Sequence, residues 1–269
     1  MNHDTLLRLG AFLFIFATIA LWERIAPRRD EPMLRAKRWP TNLLLIVIDT
    51  VTLRLLLPTT GSIAVAVLAQ QHHWGVLQQM QLPPVLAIAI AIIALDAVIY
   101  WQHRLFHRMP LLWRLHRVHH TDIRLDTTSA LRFHPVEIFL SMLIKMVAII
   151  VLGVDPLAVV LFEVTLNGMA LFNHGNIRLP HAIDRALRWL WVTPDMHRIH
   201  HSVETEEFNR NFGFNLSCWD RIFGSYQAQP QAGQLGMTIG LPDWRNADTT
   251  ANLLWMLKLP WLPLARSAQ

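Results

Sequence analysis

Apolar runs close to the width of a lipid bilayer recur along this 269-residue chain, and they constrain its fold more than any other feature. Crossing about 30 Å of hydrocarbon takes about 20 helical residues. Only helices or closed barrels satisfy their own backbone groups there. The first run, Leu6 to Trp22 with Arg8 near its start, is followed directly by Glu23 and Arg24. No small-residue cleavage site stands behind it, so it reads as a retained helix and not a removed leader. Leu43 to Ala69 is interrupted by Asp49, Arg54, Pro58 and Gly61 and reads as one long or broken span. Leu82 to Trp101 is the cleanest span and ends in an interfacial Tyr100–Trp101 pair. Ile138–Leu152 and Leu157–Phe172 are shorter, and Gly153-Val154-Asp155-Pro156 turns them into a hairpin that crosses twice or dips in and returns. Asn173 to Pro230 is polar and aromatic, as a soluble cap would be. Asn252 to Leu264 has the pattern of an interfacial helix.

The expected fold is all-α: a polytopic bundle of four or five membrane segments under a helical cap. The expected organisation is membrane segments over residues 1–80, a catalytic unit over 81–230, and a tail over 231–269. Composition agrees, since 16% of residues are charged where a soluble domain carries about 25%.

A net charge of +5 and a pI near 10.1 would suit a nucleic-acid partner, but the positions of the charges exclude one. Arg24, Arg28, Arg29, Arg35, Lys37 and Arg38 follow the first run, and Arg104, Arg108, Arg114, Arg117, Arg124 and Arg132 follow the third. Residues 70–81 have neither lysine nor arginine. This asymmetry is that of basic loops retained in the cytoplasm, and it puts residues 23–41, 102–137 and 173 onward on that face. The lone cysteine, Cys218, excludes a disulfide framework, a thiolate zinc finger and a cysteine-ligated iron–sulfur cluster.

Nine of the 14 histidines form a pattern, and all nine fall on the cytoplasmic side. His103 and His107 are four apart; His116, His119 and His120 form HxxHH; His197, His200 and His201 repeat it; His174 follows the last span. On a helix, residues at i, i+3 and i+4 share a face, so each HxxHH is expected to turn three imidazoles toward one place. Thr193-Pro194-Asp195 ahead of His197 is a helix start. Imidazoles crowded together need a cation to gather them, and eight or nine suit a pair of metals. Asp96 shares the stripe of His103, while Glu163 and Asn167 share that of His174; they are candidates to orient ligands from behind. His134 is either a tenth ligand or a loop hydrogen-bonder. His3, His72, His73 and His181 lie outside the set.

All-imidazole ligation suits iron, zinc, copper or nickel. The chain has no HExxH string of a hydrolytic zinc site and none of the Glu-x-x-His pairs of soluble di-iron bundles. A transporter would carry its ligands along the spans. A histidine-rich, di-iron site at the membrane surface remains, with zinc able to replace iron in purified material. Two other classes stay open: a metal-binding membrane protein without oxygenase activity, such as a sensor or transporter component, and a zinc hydrolase on the same scaffold.

HRLFH (103–107), HRVHH (116–120) and HRIHH (197–201) give the order HxxxH, HxxHH, HxxHH. This resembles the fatty acid hydroxylase / sterol desaturase superfamily of membrane di-iron oxygenases. TTSALRFHPVE (127–137), LFNHGNIRLP (171–180) and TPDMHRIHHS with NRNFGFNLSCWDRIFGSY (193–226) look like its bacterial sterol-desaturase-like branch. The resemblance covers residues 85–226. It implies that His103, His107, His116, His119, His120, His197, His200 and His201 are metal ligands, with His174 the additional one. It also implies two iron ions, O2 as co-substrate, a membrane lipid that is hydroxylated or desaturated, and an inner-membrane location in a bacterium. No HPGG-like haem motif of a fused cytochrome b5 domain occurs. Electrons are therefore expected from a separate reductase, ferredoxin or cytochrome.

Overall fold

The computed structural model of the chain describes residues 3–30, 32, 34–57 and 61–263. Its helices are α1 (His3–Ile25), α2 (Arg35–Leu56), α3 (Ser62–Gln71), the single turn α4 (Val76–Gln79), α5 (Pro84–Arg108), α6 (Pro110–His120), α7 (Pro135–Leu152) and α8 (Pro156–His174). Shorter helices follow, including α9 (His181–Leu187) and α10 (Pro194–His200). The described residues form no strand beyond isolated bridges such as Pro27 with Ile177. Among the described residues four helices, α2, α5, α7 and α8, are long and apolar enough to cross a membrane, and α1 packs along α8. Their outward faces carry exposed Phe14, Leu55, Val85 and Val147, a surface suited to lipid and unsuited to water.

Proline sets where these helices begin. Pro84, Pro110, Pro135, Pro156 and Pro194 each occupy the first turn, where a missing N–H costs nothing and the fixed φ already matches the helix. The run over 43–69 is a broken span. Its first half starts earlier than the apolar run, at Arg35, and ends at Leu56; α3 takes over at Ser62. Pro58 lies outside the described residues. Ser62 donates to Glu163 (2.7 Å) midway along α8, and Gln70 donates to Asp155 (3.2 Å) ahead of it. α3 therefore continues toward the far side of the bundle.

On that far side α7 and α8 join in the expected tight turn. Gly153 closes α7 with φ +70°, and the Asp155 carboxylate accepts from Leu157 N (2.8 Å) to start α8. With 18 and 19 residues, both arms run the length of the bundle. Gly75 (φ +93°) rests directly on this turn, where a Cβ would fall 2.1 Å from Gly153 N.

The other end carries the cap. Buried Arg38 clasps Asp122 (2.6 Å) and Asp126 (2.7 Å), which pins α2 to the loop after α6. Arg132, fully buried, donates to Val118 O (2.9 Å) and Thr121 Oγ1 (2.8 Å) at the end of α6. The C-terminal segment forms a short helix, Leu253–Lys258, and a turn, Leu259–Trp261. Met256 and Leu259 are buried with Leu45 and Val118, and the Leu259 and Leu262 carbonyls accept from Arg117 (2.5 and 2.7 Å). The segment is thus docked on α2 and α6, with Leu254 and Trp261 left exposed; Leu264 lies outside the described residues.

Candidate metal centre

Four helix C-terminal ends converge at the cap end of the bundle. The last turns of α5 supply His103 and His107, α6 supplies His116, His119 and His120, α8 ends in His174, and α10 supplies His197 and His200 with His201 as its C-cap. Eight of these nine are buried and His107 is half-buried. Among the described residues they fall into two groups, each with one ring nitrogen per residue within 4.8 Å of all the others. His103, His107, His116, His120 and His200 make one group; His119, His174, His197 and His201 make the other.

Each HxxHH is therefore divided, where the spacing alone had suggested a single target. The i and i+4 residues go to one group and the i+3 residue to the other. Helical geometry gives the reason: at roughly 100° per residue, positions i+3 and i+4 straddle position i and lie about 100° apart. One motif can thus face two neighbouring centres.

The ring nitrogens are arranged for ligation. In the second group, His174 Nε2 lies 3.0 Å from His119 Nε2 and 3.1 Å from His197 Nε2, and His201 Nε2 lies 3.3 Å from His197 Nε2. Metal–nitrogen bonds of about 2.0–2.1 Å in a tetrahedron separate the nitrogens by about 3.3–3.4 Å, near these values. In the first group the Nε2 atoms of His103, His107, His116, His120 and His200 are buried with no hydrogen-bond partner. Five such orphans facing one another are costly unless a cation gathers them. Burial pushes the His116 imidazole down to about 3. Burial, and then the neighbouring rings, hold His119, His120, His197 and His201 well below the usual histidine value, so their lone pairs are free. The chemistry of this donor set fits two metal ions.

Partners behind the rings fix which nitrogen points inward. Nδ1–H of His103 donates to Phe212 O (2.9 Å), that of His200 to Arg210 O (2.9 Å), and that of His174 to Ala170 O (2.7 Å). His116 Nδ1 meets the buried Glu137 carboxylate at 2.6 Å. Phe133 stacks on His119 with ring centroids 4.4 Å apart.

Glu137 had no distinguishing mark in the sequence beyond opening an apolar run in the first turn of α7. The residues proposed from sequence to stand behind the ligands lie elsewhere. Asp96 accepts from Asn215 N (3.3 Å), Leu216 N (3.1 Å) and Trp219 Nε1 (2.8 Å), so it holds the cap loop that carries Phe212 and not an imidazole. Glu163 binds Ser62, Arg8 (2.5 Å) and Lys145. Asn167 lines a cavity. His134 lies outside both groups: its Nδ1 accepts from Val136 N (3.2 Å) as the cap of α7, and its Nε2 meets Leu257 O (3.2 Å).

That cavity, about 620 Å³, runs between α1, α2, α3, α5, α7 and α8. His103, His116, Phe106 and Glu137 line it at the metal end, and Arg8, Ser62, Lys145 and Glu163 line it deeper in the bundle. From Glu163 to His174 is about 16 Å along α8, by the helical rise of ~1.5 Å per residue. Most of the wall between is apolar, with Ile46, Leu53, Ile99, Leu131, Leu166 and Leu171.

A family model described as fatty acid hydroxylase matches residues 88–225. Ornithine lipid hydroxylase OlsE of Rhizobium tropici is 29% identical over 238 residues, covering 84% of this chain and 70% of that protein. Human alkylglycerol monooxygenase is 25% identical over 153 residues, which is 55% of this chain and 32% of that protein. Human cholesterol 25-hydroxylase is 26% identical over 139 residues, or 51% and 50%. The chain thus spans half or less of the length of the last two. No solved structure matches.

Proposed function

Because the chain belongs to the fatty acid hydroxylase family, we propose that it is a membrane-bound, O2-dependent di-iron oxidoreductase that hydroxylates or desaturates a C–H bond of a lipid. The observation that carries this reading is the pair of histidine groups at one end of a largely apolar cavity. His103, His107, His116, His120 and His200 hold one iron; His119, His174, His197 and His201 hold the other. Bound there, iron supplies O2 reduction and the removal of hydrogen from an unactivated C–H bond, chemistry that belongs to the metal and not to side chains.

The chain's own residues do the rest. Glu137 and the carbonyls of Phe212, Arg210 and Ala170 keep Nδ1 protonated, so that Nε2 faces the metals. Phe106, Phe133 and Phe214 wall the metal end of the cavity, exclude water and align the lipid. Hydroxylation is favoured over desaturation by the relatives, which are named as lipid hydroxylases and monooxygenases. Residues 81–230 form the catalytic unit, and residues 1–80 complete its cavity from the membrane side. The basic loops set the centre on the cytoplasmic face, in a bacterial inner membrane, where a separate reductase, ferredoxin or cytochrome reaches it. Its docking site is not Arg117, Arg132 or Arg198, since these are buried on internal partners.

The test is metal content together with product. Protein purified from iron-replete cells is expected to hold two irons per chain. His119→Ala and His200→Ala each lose iron, and host lipids lose the species one oxygen heavier or two hydrogens lighter. Metal content indifferent to both substitutions refutes the reading, and so does a zinc-loaded protein that hydrolyses lipid without O2.

A further inference from the structure

We propose that Asp49 is the anchor for a cationic amine in the headgroup of the lipid substrate, held inside the bundle next to the metal end of the cavity. The inference rests on the lipid-oxidising reading above and names its substrate class.

Asp49 lies on α2, within a membrane-crossing helix, and lines the cavity. It is 5% exposed, and its Oδ1 has no hydrogen-bond partner among the described residues. Every other buried acid among the described residues is engaged. Asp122 and Asp126 have Arg38, Asp184 has Arg188, and Glu163 has Lys145 and Arg8. Asp96 and Asp220 accept backbone N–H groups, as do Glu23 and Glu207. An intramembrane carboxylate is expensive and normally has its partner within the protein. Arg54, five residues further along α2, lines the same cavity but is exposed, and among the described residues no ion pair joins it to Asp49. The missing partner is therefore a ligand.

The surroundings say which kind. Two more cavity-lining oxygens lack partners, Glu137 Oε2 and Gln102 Oε1. All three are acceptors, so the wall calls for a donor. Glu137 and Asp49 line the same cavity. An ammonium brings three N–H groups as well as the charge, whereas a hydroxyl brings a single donor and leaves the carboxylate uncompensated. For an anionic head, Lys145 and Arg8 already share Glu163, and the other cavity-lining cation, Arg54, lies five residues beyond Asp49 along α2, away from the cap end.

Glu137 also fixes where the substrate's carbons fall. Its Oε1 holds His116 (2.6 Å), so an amine beside Asp49 and Glu137 sits next to the metal end. Carbons near the headgroup, and not the end of an acyl tail, are then the ones presented for oxidation.

The test uses the metal-loaded full chain in lipid nanodiscs and three probes of equal chain length: hexadecylamine, hexadecanol and palmitate. The wild type is expected to bind the amine at least about tenfold more tightly than the other two, the effect of one desolvated charge pair. Asp49→Asn abolishes that preference while iron content stays at the wild-type level. A hydrophobic carbodiimide modifies Asp49 in the wild type, and hexadecylamine protects it where hexadecanol does not; this measurement stands even if the variant fails to fold. Equal binding of all three probes, an unchanged preference in Asp49→Asn, or carbodiimide labelling unaffected by the amine overturns the assignment. A chain that holds iron and oxidises lipid with no headgroup preference refutes only this inference. A chain that binds the amine at Asp49 but holds no iron refutes the oxidase reading and leaves the amine site.

Discussion

Replacing Glu137 with leucine isolates the carboxylate that orients His116. The Glu137–His116 contact is 2.6 Å long, and the two residues are 4% and 3% exposed, so its loss takes the charged partner from a buried Nδ1. Hydrogen bonds to charged groups contribute about 1.5–3 kcal/mol, which is roughly a 10- to 150-fold change in an equilibrium constant. That range overlaps the 10- to 100-fold loss of metal affinity typical when a ligand's supporting partner is removed. The loss should be confined to one metal, because His116 belongs to the His103 group and no member of the His119 group touches Glu137 in the pattern above. Glu137→Gln keeps an acceptor for Nδ1–H and removes only the charge, so about a tenfold loss or less is expected of it. The assay is anaerobic ferrous-iron content against increasing chelator. On the proposed di-iron reading, wild-type protein is expected to release two irons over a narrow range, and Glu137→Leu to release one early and retain the second. Simultaneous early release of both irons, or a curve superimposable on the wild type, would refute the division of the histidines into two sites supported separately.

Three further outcomes are open to measurement. Asp96→Ala strands two backbone N–H groups and Trp219 Nε1; a loss of about 1–3 kcal/mol per buried orphan should appear as a lowered thermal midpoint before iron affinity changes. Gly75→Ala meets both a positive φ and a backbone clash at 2.1 Å and should destabilise by more than about 1 kcal/mol, while Gly61→Ala, with nothing within 4 Å, should be near neutral. Burial works to raise the Asp122 carboxyl, but the Arg38 guanidinium outweighs it and holds the group below its ordinary value. A depressed folded-state value stabilises fully above the unfolded value of about 3.9 and is lost as pH falls through the lower folded one. Asp122→Asn should therefore lower the midpoint at pH 7, and its difference from the wild type should shrink as pH falls below about 3.9.

The apolar helices and the clustering of the nine histidines were legible because both patterns are periodic. A bilayer demands a fixed length of apolar chain, and a helix presenting imidazoles to a metal must repeat them at three or four residues. Leu82–Trp101 and the two HxxHH strings therefore announce themselves without any neighbour. What stayed hidden depends on partners distant in sequence. Glu137 supports His116 from 21 residues away, and an acid at the start of an apolar run looks like an ordinary helix-start residue. Asp96 shares a helical stripe with His103, yet its carboxylate turns to Trp219 and the loop beside it. A stripe specifies a face but not which of two neighbouring elements occupies it.

The same limit explains why Asp49 read only as an interruption. In the sequence, Asp49, Arg54, Pro58 and Gly61 together weaken one apolar run, and their common effect is to break the span. In three dimensions they separate. The break after Leu56 lets α3 start level with Glu163, which gives Ser62, Lys145 and Arg8 a shared acid deep in the bundle. Asp49 stands above the break, its Oδ1 without a hydrogen-bond partner among the described residues, on the cavity wall that also carries His116. A helix carried straight across would have stacked its polar residues along a single line. The interruption instead brings Ser62 into a cluster with Glu163, Lys145 and Arg8 that lines the cavity deep in the bundle, and leaves the Asp49 carboxyl on the wall nearer the metal end. Polar groups inside a membrane are retained where they do something. Here the paired set shapes the cavity, and the unpaired one is left to meet what enters it.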